Sequence, residues 1–137
     1  MRNAMTGPVP DFFSRMENMQ DVQIHFNKFT GTLPTGIFNA TTVWRLNLGG
    51  NDLSGTLSTM IGNLQSLTAL FLLRNRFNGT IPTEIGLLLD MQNIGLWDNE
   101  FTGTIPTELG NLRKLYGLEI DDNRLEGTLP TELGKRF

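Results

Sequence analysis

Apolar residues in this chain return every 24 residues, each time within the same short pattern of apolar and polar positions. In one clear instance, Val43, Leu46 and Leu48 precede Asn51, which gives the spacing L-x-x-L-x-L-x-x-N. Leu46 and Leu48 are two residues apart, so both point to one side of a short strand. We therefore expect one strand in each turn, with successive strands stacked into a parallel sheet at a spacing of about 4.8 Å.

An asparagine marks every turn and never slips in register. It occupies Asn3, Asn27, Asn51, Asn75, Asn99 and Asn123. A period of this length is typical of a solenoid, in which each turn packs on its neighbours. A side-chain amide both donates and accepts, so it can bond backbone groups that the bend after the strand leaves unpaired. The sequence therefore predicts a structural ladder of Asn27, Asn51, Asn75, Asn99 and Asn123.

The second half of each turn predicts an extended or 3₁₀ segment. A further apolar column at Leu33, Leu57, Ile81, Ile105 and Leu129 is followed in most turns by Pro, which cannot donate to a sheet interior. Two Thr columns accompany it, at Thr32, Thr56, Thr80, Thr104 and Thr128, and at Thr35, Thr59, Thr83, Thr107 and Thr131. We expect the second column to cap the following turn, with Glu84, Glu108 and Glu132 at its positive end.

Composition narrows the class of function. The 137 residues suit one domain of a little under six turns, and the net charge of -3 argues against a nucleic-acid binder. There is no Cys for a disulfide or a zinc site. The segment 1–8 lacks the apolar stretch of a signal peptide, and the apolar run 67–73 is too short to cross a bilayer. His25, the one histidine, has no partner in a recognisable catalytic motif, so we expect no enzyme, metal or cofactor.

Two phrases resemble a known family. N-x-F-N-G-T-I-P-T-E-I-G from Asn75 and N-x-F-T-G-T-I-P-T-E-L-G-N-L from Asn99 are similar to the plant-type leucine-rich repeat, which also occurs in algal proteins. The resemblance implies an α/β fold class: a right-handed horseshoe solenoid with a parallel sheet on the concave face and 3₁₀ or short extended segments on the convex side. It implies one domain over 1–137. It also implies recognition of a protein, peptide or glycan, often in receptor ectodomains and secreted inhibitors, which favours an extracellular or membrane-associated location within a larger protein.

The ends depart from that family pattern. Typical extracellular members have Cys-paired caps, and this chain begins and ends within a repeat and has no Cys. We interpret it as a fragment or a short gene product whose ends need a partner, another domain or self-association.

Candidate ligand contacts lie on the concave positions, which vary from turn to turn while the core columns do not. Phe71, Leu73 and Trp97 are apolar where a strand should face water, and together they predict a binding patch beside Arg74. Acidic residues at Asp98, Glu119, Asp121 and Asp122 border it. The last three could bind Ca²⁺, but their spacing is not that of a known calcium loop, and we interpret them as a solvated face that protects the terminal strand.

The sequence thus predicts a non-enzymatic binding module for a protein or peptide, or for a glycan, acting through its concave face. Two alternatives stay open: an assembly subunit that stacks through its open solenoid ends, and a Thr array that docks a repetitive ligand such as ice or a polysaccharide. The sequence identifies neither the partner nor the compartment. Asn39 and Asn78 begin glycosylation patterns that a chain rich in Asn, Ser and Thr contains by chance.

Overall fold

The computed structural model describes residues 3–15 and 18–135. The first two and last two residues of the predicted domain 1–137 lie outside the described part, and a single domain over that range stays a prediction. Every helix in these two segments is a short 3₁₀ turn, and none is long and apolar enough to cross a membrane.

In the described residues, eleven strands form two parallel sheets, and each complete turn contributes one strand to each. The five-stranded sheet contains β2 (Asp21–Gln23), β4 (Arg45–Asn47), β6 (Ala69–Phe71), β8 (Asn93–Gly95) and β10 (Gly117–Glu119), paired in that order. The six-stranded sheet contains β1 (Thr6–Pro8), β3 (Lys28–Gly31), β5 (Asp52–Thr56), β7 (Arg76–Thr80), β9 (Glu100–Thr104) and β11 (Arg124–Glu126), again in order.

The five-stranded sheet confirms the predicted stacking. Its strands pair with an offset of one full repeat, so that equivalent apolar residues are partners: Val22, Leu46, Leu70, Ile94 and Leu118. All of these side chains face the core, and Leu46 and Leu70 are fully buried. The outward surface of this sheet, with the residues that follow each strand, is the concave face.

The six-stranded sheet was not predicted, since the sequence indicated only one strand per turn. Each of its strands after β1 starts next to a ladder asparagine and buries one side chain: Phe29, Leu53, Phe77 and Phe101 in β3, β5, β7 and β9. Polar residues flank that side chain, and a glycine follows it within the strand. Glycine inside a strand usually argues against a strand, so the sequence pattern here was ambiguous.

Six 3₁₀ helices complete the turns on the convex side: Phe13–Arg15, Thr35–Asn39, Thr59–Asn63, Thr83–Leu87, Thr107–Asn111 and Leu133–Lys135. The prediction that the second Thr column caps these turns is wrong. The N-cap position is Pro34, Pro82 or Pro106, which makes no side-chain bond there. Thr lies one residue further in, and Thr83, Thr107 and Thr131 instead donate to the adjacent Glu84, Glu108 and Glu132.

One turn does have a side-chain cap. Ser58 takes the place of the proline, and its hydroxyl oxygen accepts from the Met60 N–H at 3.1 Å. The capping role therefore belongs to the position before the threonine, and it requires a side chain with an acceptor oxygen, which serine has and proline lacks.

The core is one continuous column between the sheets and the 3₁₀ helices. Phe77 and Phe101 stack in it with ring centroids 6.3 Å apart. Burial depends on having a turn on each side: Leu57 and Ile81 are 4% and 3% exposed, whereas Leu129, in the same column of the last turn, is 69% exposed. Stacking of neighbouring turns therefore buries this column.

The side-chain amides of the asparagine ladder hydrogen-bond to three backbone groups each. The Asn75 side-chain oxygen accepts from the Leu53 N–H at 3.0 Å, one turn back. Its nitrogen donates to the carbonyls of Leu72 at 3.0 Å and Leu48 at 3.1 Å. Asn51, Asn99 and Asn123 make the corresponding bonds. Each of these amides thus ties the bend of its own turn to the turn before it, and Asn51, Asn75 and Asn99 are buried.

Candidate concave binding face

The concave face is built by alternation along each short strand. The central residue of the strand and the residue directly after the strand point into the core, as Leu46 and Leu48 do. The first and last residues of the strand and the two residues before the ladder asparagine lie on the outward side. Every turn therefore has four outward positions, and parallel pairing aligns them into columns across the sheet.

The N-terminal part of this face contains an ion pair. Asp21 and Arg45 occupy one column in adjacent strands, and the Arg45 Nε donates to Asp21 Oδ1 at 2.9 Å. This hydrogen bond lowers the pKa of Asp21 below its ordinary value of 3.8. The sequence analysis did not predict this pair, although opposite charges 24 residues apart in one column were a sufficient signal.

Phe71 and Leu73 lie side by side on a floor of two glycines. The position that a Cβ would take on Gly95 is 3.0 Å from Phe71 Cδ1 and 3.4 Å from Leu73 Cδ2. The equivalent position on Gly49 is 3.0 Å from Leu73 Cγ. Both apolar side chains are half-buried because they lean across the neighbouring strands, where no side chain stands in the way. The glycines were not predicted as part of the site.

Trp97 and Arg74 form the next part of the face. The Arg74 guanidinium carbon lies 4.8 Å from the centroid of the half-buried Trp97 ring, and Arg74 Nε is 3.8 Å from Asp98 Oδ2. The guanidinium is thus held between an aromatic face and a carboxylate, with about half of the Arg74 side chain still exposed. The structure brings together the predicted residues Leu73, Arg74, Trp97 and Asp98.

The acidic residues border the patch on its C-terminal side. Glu119 reaches back over the floor, with Oε2 3.7 Å from the position of a Cβ on Gly95. Asp121 and Asp122 are exposed in the turn that follows β10. Within residues 3–15 and 18–135, no group of three His, Asp or Glu side chains is arranged to hold a metal ion.

His25 lies on the N-terminal side, away from the patch. Its ring meets Phe26 edge-on at 5.3 Å, and its Nδ1 is buried without a hydrogen-bond partner among the described residues.

The residue before the ladder asparagine adopts a left-handed backbone in four turns, where it is not glycine. These residues are Phe26, Arg74, Asp98 and Asp122, with φ between 50° and 56°. Such a conformation costs an L-residue about 1–2 kcal/mol, so these side chains are held in place by the fold around them. Arg74 and Asp98 are therefore fixed at the rim by backbone geometry. Gly50, Asp98 and Asp122 in this column are residue types that favour the left-handed region, whereas Arg74 by itself gives no such signal.

A shallow cavity adjoins Arg74 on its N-terminal side. It measures about 330 Å³ and is lined by Phe26, Lys28, Gly50 and Arg74 together with Asn3 and Asn27. It extends the patch towards the bend of the earlier turns, so an extended ligand crossing several strands would have room beyond the aromatic residues.

Comparison with known proteins assigns the repeat. Residues 42–64 and 90–112 match the Leucine Rich Repeat family. No curated protein sequence matches the chain.

Solved plant structures match almost the whole chain. One is the ectodomain of the Arabidopsis thaliana membrane receptor kinase GASSHO1/SCHENGEN3 in complex with CASPARIAN STRIP INTEGRITY FACTOR 2, at 30% identity and a TM-score of 0.92, covering 96% of this chain and 16% of that chain. Another is the Arabidopsis receptor kinase HAESA with the peptide hormone IDA and the co-receptor SERK1, at 26% identity and a TM-score of 0.88, covering 98% and 27%.

A shorter relative gives the same result. A chain of the Arabidopsis thaliana BIR3–SERK2 complex is 34% identical with a TM-score of 0.79, and the match covers 83% of this chain and 61% of that one. The chain thus spans less than two thirds of the length of each of these relatives. The sequence pattern, the two stacked parallel sheets and these matches agree that the chain belongs to the plant-type leucine-rich repeat family.

Proposed function

We propose that the chain is a non-enzymatic binding module that holds a protein or peptide segment on its concave face, against Phe71, Leu73 and Trp97. The observation that carries this proposal is the glycine floor. Two large apolar side chains lie across Gly49 and Gly95, half exposed, where the fold itself needs no apolar residue. Apolar anchors of this kind with a charged border are typical of binding hot spots.

The charged residues around the patch would orient a bound ligand. Arg74 lies over Trp97 and beside Asp98, and it still has donors free for a ligand carbonyl or carboxylate. Glu119, Asp121 and Asp122 are acceptors on the opposite side of the patch. A bound peptide would therefore meet different charges at its two ends, which fixes its direction.

Relatives with the same repeat support a peptide as the ligand. GASSHO1/SCHENGEN3 and HAESA were solved with CASPARIAN STRIP INTEGRITY FACTOR 2 and with the peptide hormone IDA. By the same likeness we propose that the chain works outside the cell or at a membrane surface, as part of a larger protein.

Replacing Trp97 tests the proposal. Peptides are selected from a random-sequence library on the immobilised chain and titrated against wild type and Trp97→Ala. We expect the variant to bind them roughly 30-fold more weakly, because a buried aromatic anchor is worth about 2 kcal/mol or more.

Trp44 provides the matched control. It also stacks with an arginine, since the Arg45 guanidinium carbon is 4.8 Å from its ring, but it lies one residue before the strand and outside the patch. Trp44→Ala should leave the affinities unchanged, and circular dichroism should show that both variants fold. Equal binding by Trp97→Ala and wild type would rule out this site.

One observation favours the assembly alternative as a second function. An apolar cavity of about 590 Å³ opens at the C-terminal end of the solenoid, lined by residues that include Leu118, Ile120, Leu129 and Leu133. Another turn of the same kind would cover it. End stacking of this kind is head-to-tail and does not close, so sedimentation would show species that keep growing beyond the dimer as concentration rises.

A further inference from the structure

Leu87 and Leu89 are exposed apolar residues at an edge where the other complete turns are polar. They are 55% and 60% exposed, and they lie where the chain returns from a 3₁₀ helix to a concave strand. The equivalent positions are Asn39, Asn63 and Asn111 for Leu87, and Thr41, Gln65 and Arg113 for Leu89. The repeat therefore folds with polar residues at both positions, and these two leucines serve no purpose in the core.

Two charges without ion-pair partners flank this leucine pair on opposite sides. Leu87 and Glu84 both lean towards the preceding turn, each within 3.2 Å of the position of a Cβ on Gly62. Arg113 lies one turn after Leu89 and lines a cavity of about 590 Å³ with it. Neither Glu84 nor Arg113 forms an ion pair with any described residue, whereas Lys114 beside Arg113 is paired with Asp90.

We propose that this edge is a twofold interface between two copies of the chain. A twofold axis through the leucine pair places the leucines of one copy against those of the other and exchanges the two sides of the edge. Glu84 of each copy then faces Arg113 of the other copy. The edge is thus complementary to itself in both apolar surface and charge. A second copy of the chain would cover the exposed leucines and would also pair both Glu84 and Arg113.

The dimer should be weak. Its apolar centre is only a pair of leucines from each copy, so the buried area falls at the low end for specific interfaces. Association should then be concentration-dependent, and it should leave the concave face of both copies free because the edge lies outside the strands.

Sedimentation velocity of the whole chain, from micromolar to near-millimolar concentration, tests the proposal. We expect a monomer that converts to a dimer and no further. Leu87→Asn with Leu89→Thr uses residues that other turns of this chain already have at these positions, so the fold should persist while the dissociation constant rises at least roughly tenfold. Leu129→Asn removes another exposed leucine, at the C-terminal end, and should leave the dimer intact.

Exchanging the charges of Glu84 and Arg113 tests the proposed twofold arrangement. Glu84→Arg and Arg113→Glu should each weaken the dimer, because each places like charges opposite one another across the axis. The double variant restores opposite charges and should recover the affinity of the wild type. Circular dichroism checks the fold of each variant. The Glu84 position should tolerate change, because two of its equivalents are Gly36 and Met60, although Glu108 and Glu132 in the later turns are glutamate.

Four outcomes would overturn the proposal: a wild type that stays monomeric throughout, association that the leucine variant does not weaken, growth beyond the dimer, or a double charge swap that fails to recover binding. In particular, loss of association in Leu129→Asn together with growth beyond the dimer would assign the contact to the solenoid ends instead.

Discussion

The outer surfaces of the two sheets differ in how closely their residues follow the 24-residue repeat. On the six-stranded sheet a glycine returns in each turn, and a threonine follows it in every turn after the first, as in Gly79 and Thr80. On the five-stranded sheet one outward column reads Gln23, Asn47, Phe71, Gly95 and Glu119. Both sheets contain glycine, but for different reasons. A glycine that recurs in successive turns is needed for the backbone conformation. A glycine that occurs in one turn only makes room for neighbouring side chains on the surface.

Gly79 and Gly95 show the difference at the level of single atoms. Gly79 has a φ of +70°, which only glycine adopts without strain, and a Cβ there would be 2.8 Å from the Thr56 Cγ2 methyl. Gly95 has an ordinary φ, and a Cβ there would press on the movable Phe71 and Leu73 side chains. The first glycine is required by the strand and the second by the patch.

Gly79→Ala should give the largest change in stability. The left-handed backbone costs an alanine about 1–2 kcal/mol, and displacement of the Thr56 methyl adds to it. Urea unfolding monitored by circular dichroism measures the free-energy difference. Gly7→Ala is the matched control, since Gly7 has a φ of +87° and nothing within 4 Å of its Cβ position. It should show the backbone cost alone, and a larger loss in Gly7→Ala than in Gly79→Ala would contradict this account.

Gly95→Ala should have little effect on stability and a clear effect on binding. The added methyl meets the ends of two half-exposed side chains that can turn away, so we expect a cost below about 1 kcal/mol. Phe71 and Leu73 would then leave their floor, and the selected peptides should bind several-fold more weakly in the same titration used for Trp97→Ala. If Gly95→Ala unfolds as easily as Gly79→Ala, the distinction between the two sheets is incorrect.

The sequence predicted what the 24-residue period dictates. If successive turns have the same structure, equivalent residues on adjacent strands must be neighbours. The structure confirms this for Leu46, Leu70 and Ile94, which are paired in register. The six-stranded sheet was missed because a single buried residue among polar residues and glycine is a weak strand signal. The error about threonine capping arose because a one-residue shift decides which side chain reaches the helix N-terminus.

The features special to one turn were harder to predict. The exposure of Leu87 and Leu89 could have been inferred by comparing them with Asn63 and Gln65 in the preceding turn, because polar residues in a column mark it as exposed. The left-handed backbone of Arg74 could not be inferred from Arg74 itself, although Gly50, Asp98 and Asp122 in its column are residue types that adopt this conformation more readily. The candidate site depends on such local departures, whereas the scaffold depends on repetition.

The smallest expected effect concerns the ion pair of Asp21 and Arg45, the charged part of the variable face. The hydrogen bond from Arg45 lowers the pKa of Asp21 in the folded chain below the ordinary value of 3.8. A lowered folded-state pKa means that the pair stabilises the fold above that ordinary value, and that this stabilisation is lost as pH falls from there through the folded-state pKa. Both side chains are about one-third exposed, so solvent screening keeps the contribution smaller than the cost of any substitution above.

Unfolding of wild type, Asp21→Asn, Arg45→Gln and the double variant at pH 7 and at pH ~2 measures this pair as a double-mutant cycle. The coupling between the two residues should be present at neutral pH, should shrink with added salt and should weaken as the pH falls below 3.8, because protonation of the carboxyl group removes its charge. Since each strand of the concave face pairs with its neighbour in the same way, a coupling that survived in acid would mean that Asp21 and Arg45 are joined by packing, as the repeated columns are. They would then belong with the scaffold and not with the variable surface.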